Sequence, residues 1–127
     1  MSKASAADAV VWVLGDMTRV AGVRFHLPAS WSLRPGQDIT GAKDDELVVL
    51  VSPMLEDVAT MDRHLPRRPQ LIVLLDESST AATVAAVLEA GADMCVSANS
   101  SAILASHLMA CRRRLVQTFA RRRMPET

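Results

Sequence analysis

The side chains on which chemistry could be built stand directly after apolar runs: Gly15-Asp16 after AVVWVL, Ser52 after LVVLV, and Asp76-Glu77 after LIVLL. Carboxylates gathered at such ends suit a hard cation, which takes oxygen ligands. A cation-dependent hydrolase on Asp16, Asp76 and Glu77 would also need a nucleophile or a base. The spacing supplies neither. His26, His64 and His107 fall in or beside helical patterns, where each reads as structural or exposed, and no nucleophile elbow precedes a helix. Leu14-Gly15-Asp16 carries one glycine where a dinucleotide fingerprint needs three. Cys95 and Cys111 belong to no CxxC or Cys/His cluster and read as small buried hydrophobes. The expectation is a domain that is not an enzyme, with no cofactor, no metal and no small-molecule substrate. Asp16 and Asp76 are then strand-end carboxylates that cap helices and face water, with a residual cation site or polar contact patch as the sharper reading.

The elements that must position these residues are written in the apolar pattern. The chain has 127 residues, half of them apolar, which is enough for one domain with one sizeable core. Ala9 to Leu14, Leu47 to Val51 and Leu71 to Leu75 are unbroken β-branched and leucine runs, the pattern of strands covered on both faces. Met94 to Ser97 is a shorter strand, and Trp31 to Leu33 is a weak one before the Pro35-Gly36 turn. Thr18 to Leu27 is expected to form a short helix stopped by Pro28. Further helices are expected from Met54 to Leu65, from about Thr80 to Ala90 with Ser78, Ser79 or Thr80 as cap, and from Ser100 or Ser101 onward. Strands alternating with helices at this spacing imply right-handed βα units and a parallel sheet. Function in such sheets sits at the carboxyl ends of the strands, where strand order reverses. That edge comprises Gly15, Asp16, Val51, Ser52, Asp76, Glu77, Ala98 and Asn99.

LIVLLDESSTAATVAAVLEAGADMCVSANSSAILASHLMACRRRL, residues 71–115, resembles the fourth strand, fourth helix, fifth strand and fifth helix of the receiver domain of two-component response regulators. Its most specific feature is the Gly91-Ala92-Asp93 turn. The first half matches in outline through AVVWVLGD and ELVVLV, and the region between them is too short for a full second helix. The resemblance implies a doubly wound, five-stranded, flavodoxin-like three-layer sandwich with a shortened second helix and a long last helix. It also implies a vestigial pocket. Family members phosphorylate an aspartate at the end of the third strand, where this chain has Val51, beside Ser52. Of their acidic pair after the first strand only Asp16 remains, next to Gly15. Asp76 stands where the family has its switch Ser or Thr, and Ala98-Asn99 where it has Lys-Pro. A valine cannot take a phosphoryl group, and Ala98 removes the cation that would neutralise one.

Function is then expected in the face of the fourth helix, fifth strand and fifth helix, which serves dimerisation and output coupling in the family. The last helix carries a stripe, Leu104, Leu108, Cys111, Leu115 and Phe119, whose later members, with Val116, are expected to pass beyond the core and to seek a partner. Residues 1–111 carry 8 basic and 13 acidic side chains, and residues 112–127 carry 6 basic and 1 acidic, so a net −5 body precedes a net +5 tail. Arg112, Arg113 and Arg114 suit an acidic surface or a nucleic-acid backbone, although such a run is also an ordinary solvated helix face. The expected organisation is a flexible arm over 1–8, a receiver-like domain over 9–111, and a basic extension of the last helix over 112–127. The expected activity is phosphorylation-independent regulation as a cytoplasmic homodimer, coupled to transcription through a protein partner or a DNA-binding output domain. No leader and no run long enough to span a membrane is visible. The alternatives are a stand-alone adaptor, and a sensor that holds a small molecule in an apolar hollow made by Val51, Leu75 and Ala98.

Overall fold

Valine and leucine runs that lack polar alternation have no solvent face, so they pair side by side and are covered above and below. In the computed structural model, which describes residues 9–36, 42–43, 45–65 and 69–123, five such strands form one parallel sheet. They are β1 (Ala9–Leu14), β2 (Trp31–Pro35), β3 (Leu47–Val51), β4 (Gln70–Leu75) and β5 (Met94–Ser97), in the order β2-β1-β3-β4-β5. The helices are α1 (Leu55–His64), α2 (Ala81–Glu89) and α3 (Ser101–Arg123). The side chains of residues 119–123 and the arm over 1–8 lie outside the described residues. No helix among the described residues is long and apolar enough to cross a membrane.

Strand alternation divides the core in two. Val11, Val13, Leu47, Val49, Ile72, Leu74 and Val96 point to one side, where Leu104, Ala105, Leu108, Cys111 and Leu115 of α3 cover them. Val48, Leu50, Leu71, Val73 and Leu75 point to the other and meet Val58 of α1 and Val87 of α2. Each fully buried Leu or Val is worth about 1.5–3 kcal/mol relative to an exposed one.

Two segments depart from expectation. The Thr18–Leu27 stretch is not one helix but two 3₁₀ turns, Met17–Val20 and Val23–His26, separated at Ala21-Gly22. A Cβ on Gly22 would stand 2.7 Å from the Ser101 hydroxyl, so this turn packs against the start of α3. Trp31–Pro35 is a full edge strand, paired with β1 from Ala9↔Trp31 to Val13↔Pro35. Pro35 is tolerated because it lies on a sheet edge.

The caps follow the sequence. Thr80 accepts the Thr83 amide at 3.1 Å, and Ser100 accepts the Ile103 amide at 3.3 Å. Gly91 has φ +127° and ends the α2 segment. Asp93, two residues on, is a structural clamp: its amide donates to the Leu71 carbonyl at 2.8 Å, and its Oδ2 accepts the Leu71 amide at 2.8 Å. The Gly-Ala-Asp turn therefore ties the entry of β5 to the start of β4.

Candidate functional site

The order reversal in this sheet falls between β1 and β3, whose carboxyl ends are Gly15-Asp16 and Val51-Ser52. Gly15 has φ +116°, and a Cβ there would lie 3.0 Å from both the Cβ and the carbonyl oxygen of Val51. The chain passes too close to β3 for any side chain at 15. That closeness accounts for the glycine at this edge position.

Asp16 does not reach across the edge. Its Oδ1 accepts from the Thr18 amide at 2.9 Å and the Thr18 hydroxyl at 2.6 Å, which caps the first 3₁₀ turn. The Thr18 hydroxyl and amide bonds hold the carboxyl below its usual value, and the charge of Arg19 assists. The capping role expected for Asp16 is thus observed.

The residue that does reach across is Arg19, which the sequence reading did not single out. Its Nη1 pairs with Asp76 Oδ1 at 3.1 Å and donates to the Ser52 hydroxyl at 3.4 Å. Its Nη2 donates to the Leu75 carbonyl at 3.4 Å. One guanidinium therefore links the first crossover to the ends of β3 and β4. Ser52 sits beneath it with φ +47°, its amide bonded to the Leu74 carbonyl at 2.8 Å. A serine in the left-handed region is an uncommon conformation that persists only where its surroundings hold it. On the far side, the Ser97 hydroxyl donates to the Asp76 carbonyl at 2.7 Å. Ala98 packs against the α3-side core, and Asn99 is exposed.

The edge thus gathers Gly15, Arg19, Val51, Ser52 and Asp76, with Asp16 and Ser97 steadying its flanks. Among the described residues no three His, Cys, Asp or Glu side chains converge as metal ligands. A hollow of about 320 Å³ lies between β1, β3 and α1, bordered by Leu14, Gly15, Val51, Ser52, Thr60 and Met61. Neither Leu75 nor Ala98 lines it, and of the residues expected to make an apolar hollow Val51 and Ala98 belong to the α3-side core and Leu75 to the core on the opposite side of the sheet.

The expected interaction stripe is largely internal. Leu104, Leu108 and Cys111 are buried, and Leu115, expected beyond the core, is only 9 % exposed within it. The reason is length: the stripe keeps its period against the sheet a turn further than a minimal covering helix would need. Arg112, read as part of a surface cluster, is 5 % exposed and donates to the Asp45 carbonyl at 2.6 Å. Arg113 and Arg114 are exposed, and Arg114 contacts the Cys111 sulfur at 3.4 Å. Phe119, expected to complete the stripe, has its side chain outside the described residues. Burial raises the thiol pKa of Cys111, and likewise that of half-buried Cys95. His26, His64 and His107 are all exposed.

Arg19 was missed because its partners lie 33 and 57 residues away, and no local pattern marks such a pairing. The one available signal was an arginine three residues after the strand-end Asp16. Comparison with known families and with curated proteins gives no match: no family model matches this chain, and no curated protein does.

Proposed function

We propose that this chain is a degenerate receiver-like regulatory domain of an atypical response regulator, one that works without aspartyl phosphorylation. The reading takes the parallel β2-β1-β3-β4-β5 sheet as the core of a flavodoxin-like three-layer sandwich with a shortened second helix. The observation that carries it is Arg19. In an active receiver-like site a phosphoryl group would sit over the end of β3, and a hydroxyl near the end of β4 would turn toward it. Here β3 ends in Val51, and a guanidinium already bridges Ser52 and Asp76. An internal cation joins the two strand ends that a phosphoryl group would otherwise draw together, so the edge is held in one arrangement without a modification.

Output then passes through contact with another macromolecule in the cytoplasm. The surface proposed is the face of α2, β5 and α3, on whose helices Leu88 and Ile103 are 43 % and 47 % exposed. A homodimer or a transcriptional output domain is the partner the resemblance favours. The test is an amide spectrum recorded with Mg²⁺ and beryllium fluoride, a phosphoryl mimic. No change is expected. Shifts clustered at residues 15–16, 51–52 and 76–77 would show a working acceptor and end this reading.

A further inference from the structure

The crossover from β1 to β2 covers its side of the sheet incompletely. Two short 3₁₀ turns replace the α-helix that would lay a continuous stripe there, and within them only Val20 and Val23 are buried. What remains is a hollow of about 630 Å³ against β2, inside the range of small-molecule sites. Its apolar wall is Met17, Ala21, Leu27, Trp31 and Leu33.

Its polar content has one sign. Among the described residues that line the hollow none is acidic, whereas Arg24 and Arg34 both do. Arg34 is committed elsewhere, with its guanidinium 5.7 Å from the centre of the Trp12 ring. Arg24 is exposed and has no ion-pair partner among the described residues. Trp31 lines the hollow as well, and its Nε1–H, itself closed to solvent, finds no acceptor among the described residues.

We propose that this hollow binds a small organic anion, an apolar body in contact with Met17, Leu27, Trp31 and Leu33 that carries a carboxylate toward Arg24. The proposal is independent of the reading of the carboxyl edge, because Arg19, Ser52 and Asp76 do not line the hollow.

The probe is 4-phenylbutyrate, titrated into the ¹⁵N-labelled full chain while both tryptophan indole resonances are followed. Trp12 serves as internal control, since its indole donates to Glu46 at 2.9 Å and packs on the opposite side of the sheet. The Trp31 indole resonance is expected to shift and saturate while that of Trp12 stays in place. Replacing the acid by 4-phenylbutan-1-ol, or making Arg24→Glu, is expected to weaken binding about tenfold or more, whereas Arg63→Glu on α1 leaves it unchanged. The proposal is overturned if the Trp31 resonance never moves, or if both indoles move together. It is equally overturned if the alcohol binds as tightly as the acid, or if the two arginine variants weaken binding alike.

Discussion

Gly15→Ala tests whether the carboxyl edge is fixed by backbone geometry. Two costs add. An L-residue at φ +116° is forced into a region that is nearly glycine-only, at about 1–3 kcal/mol. The new methyl also meets the Cβ and the carbonyl oxygen of Val51 at 3.0 Å, and the carbonyl belongs to a central strand that cannot give way alone. A total of about 2–4 kcal/mol follows, a large part of the stability of an ordinary domain. At about 3–5 °C per kcal/mol for a domain of this size, the melting temperature falls by about 6–20 °C. Urea unfolding by circular dichroism supplies the free energy independently. The controls separate strain from collision. Val51→Gly, read through a double-mutant cycle, should recover only the Cβ part of the loss in Gly15→Ala, because the dihedral and the carbonyl contact remain. Gly22→Ala, whose clash is with the Ser101 side chain and whose φ is −78°, should be rescued almost fully by Ser101→Ala. A Gly15→Ala variant within about 0.5 kcal/mol of the parent, or one whose loss the Val51→Gly cycle accounts for entirely, would refute the argument.

Asp16→Ala removes the cap of the first 3₁₀ turn. Because the folded-state pKa of Asp16 is lowered, its contribution is complete above the ordinary carboxylate range and disappears as pH falls through the lowered value. The melting difference between parent and variant should therefore be constant at neutral pH and shrink toward zero in acid. A difference that grows in acid would contradict the assignment. Cys95 and Cys111 should resist alkylation at neutral pH in the native state and react together on unfolding, since burial raises both thiol pKa values. Mass spectrometry after an iodoacetamide pulse reads this directly. Leu108→Ala, at a fully buried position under the sheet, should cost about 2–5 kcal/mol in chemical denaturation. Deleting residues 112–127 should be destabilising in its own right, because it removes the Arg112–Asp45 bond and the buried Leu115; a truncation with unchanged stability would show that neither matters.

The sheet was legible because burial on both faces leaves a signature in the strand itself. AVVWVL, LVVLV and LIVLL admit no amphipathic alternative, and Thr80, Ser100 and Gly91 mark helix ends by local chemistry. The first crossover was harder. Thr18–Leu27 has helical composition, yet Gly22 must sit against Ser101, a tertiary demand that breaks the segment into two turns. Trp31–Pro35 read as weak because an edge strand need not be apolar on both faces. At the site, Gly15, Asp16, Ser52 and Asp76 were identified by their places at strand ends. Their mutual arrangement was not, since the guanidinium that joins Ser52 and Asp76 comes from a distant turn. The α3 stripe is legible through Leu104, Leu108, Cys111 and Leu115, but Leu115 belongs inside the core, because periodicity reports which face is apolar and not where the sheet beneath it stops.

The position of α3 in the chain bears on synthesis. Much of one side of the sheet, with Val11, Val13, Leu47, Val49, Ile72 and Leu74, is covered by a helix that begins only at Ser101. A ribosome releases the strands first, so until that helix clears the exit tunnel the nascent sheet has one greasy side without most of its cover. Cooperative folding must wait for the end of this segment, and during that interval the unfinished domain is a natural client for a chaperone that binds apolar surface.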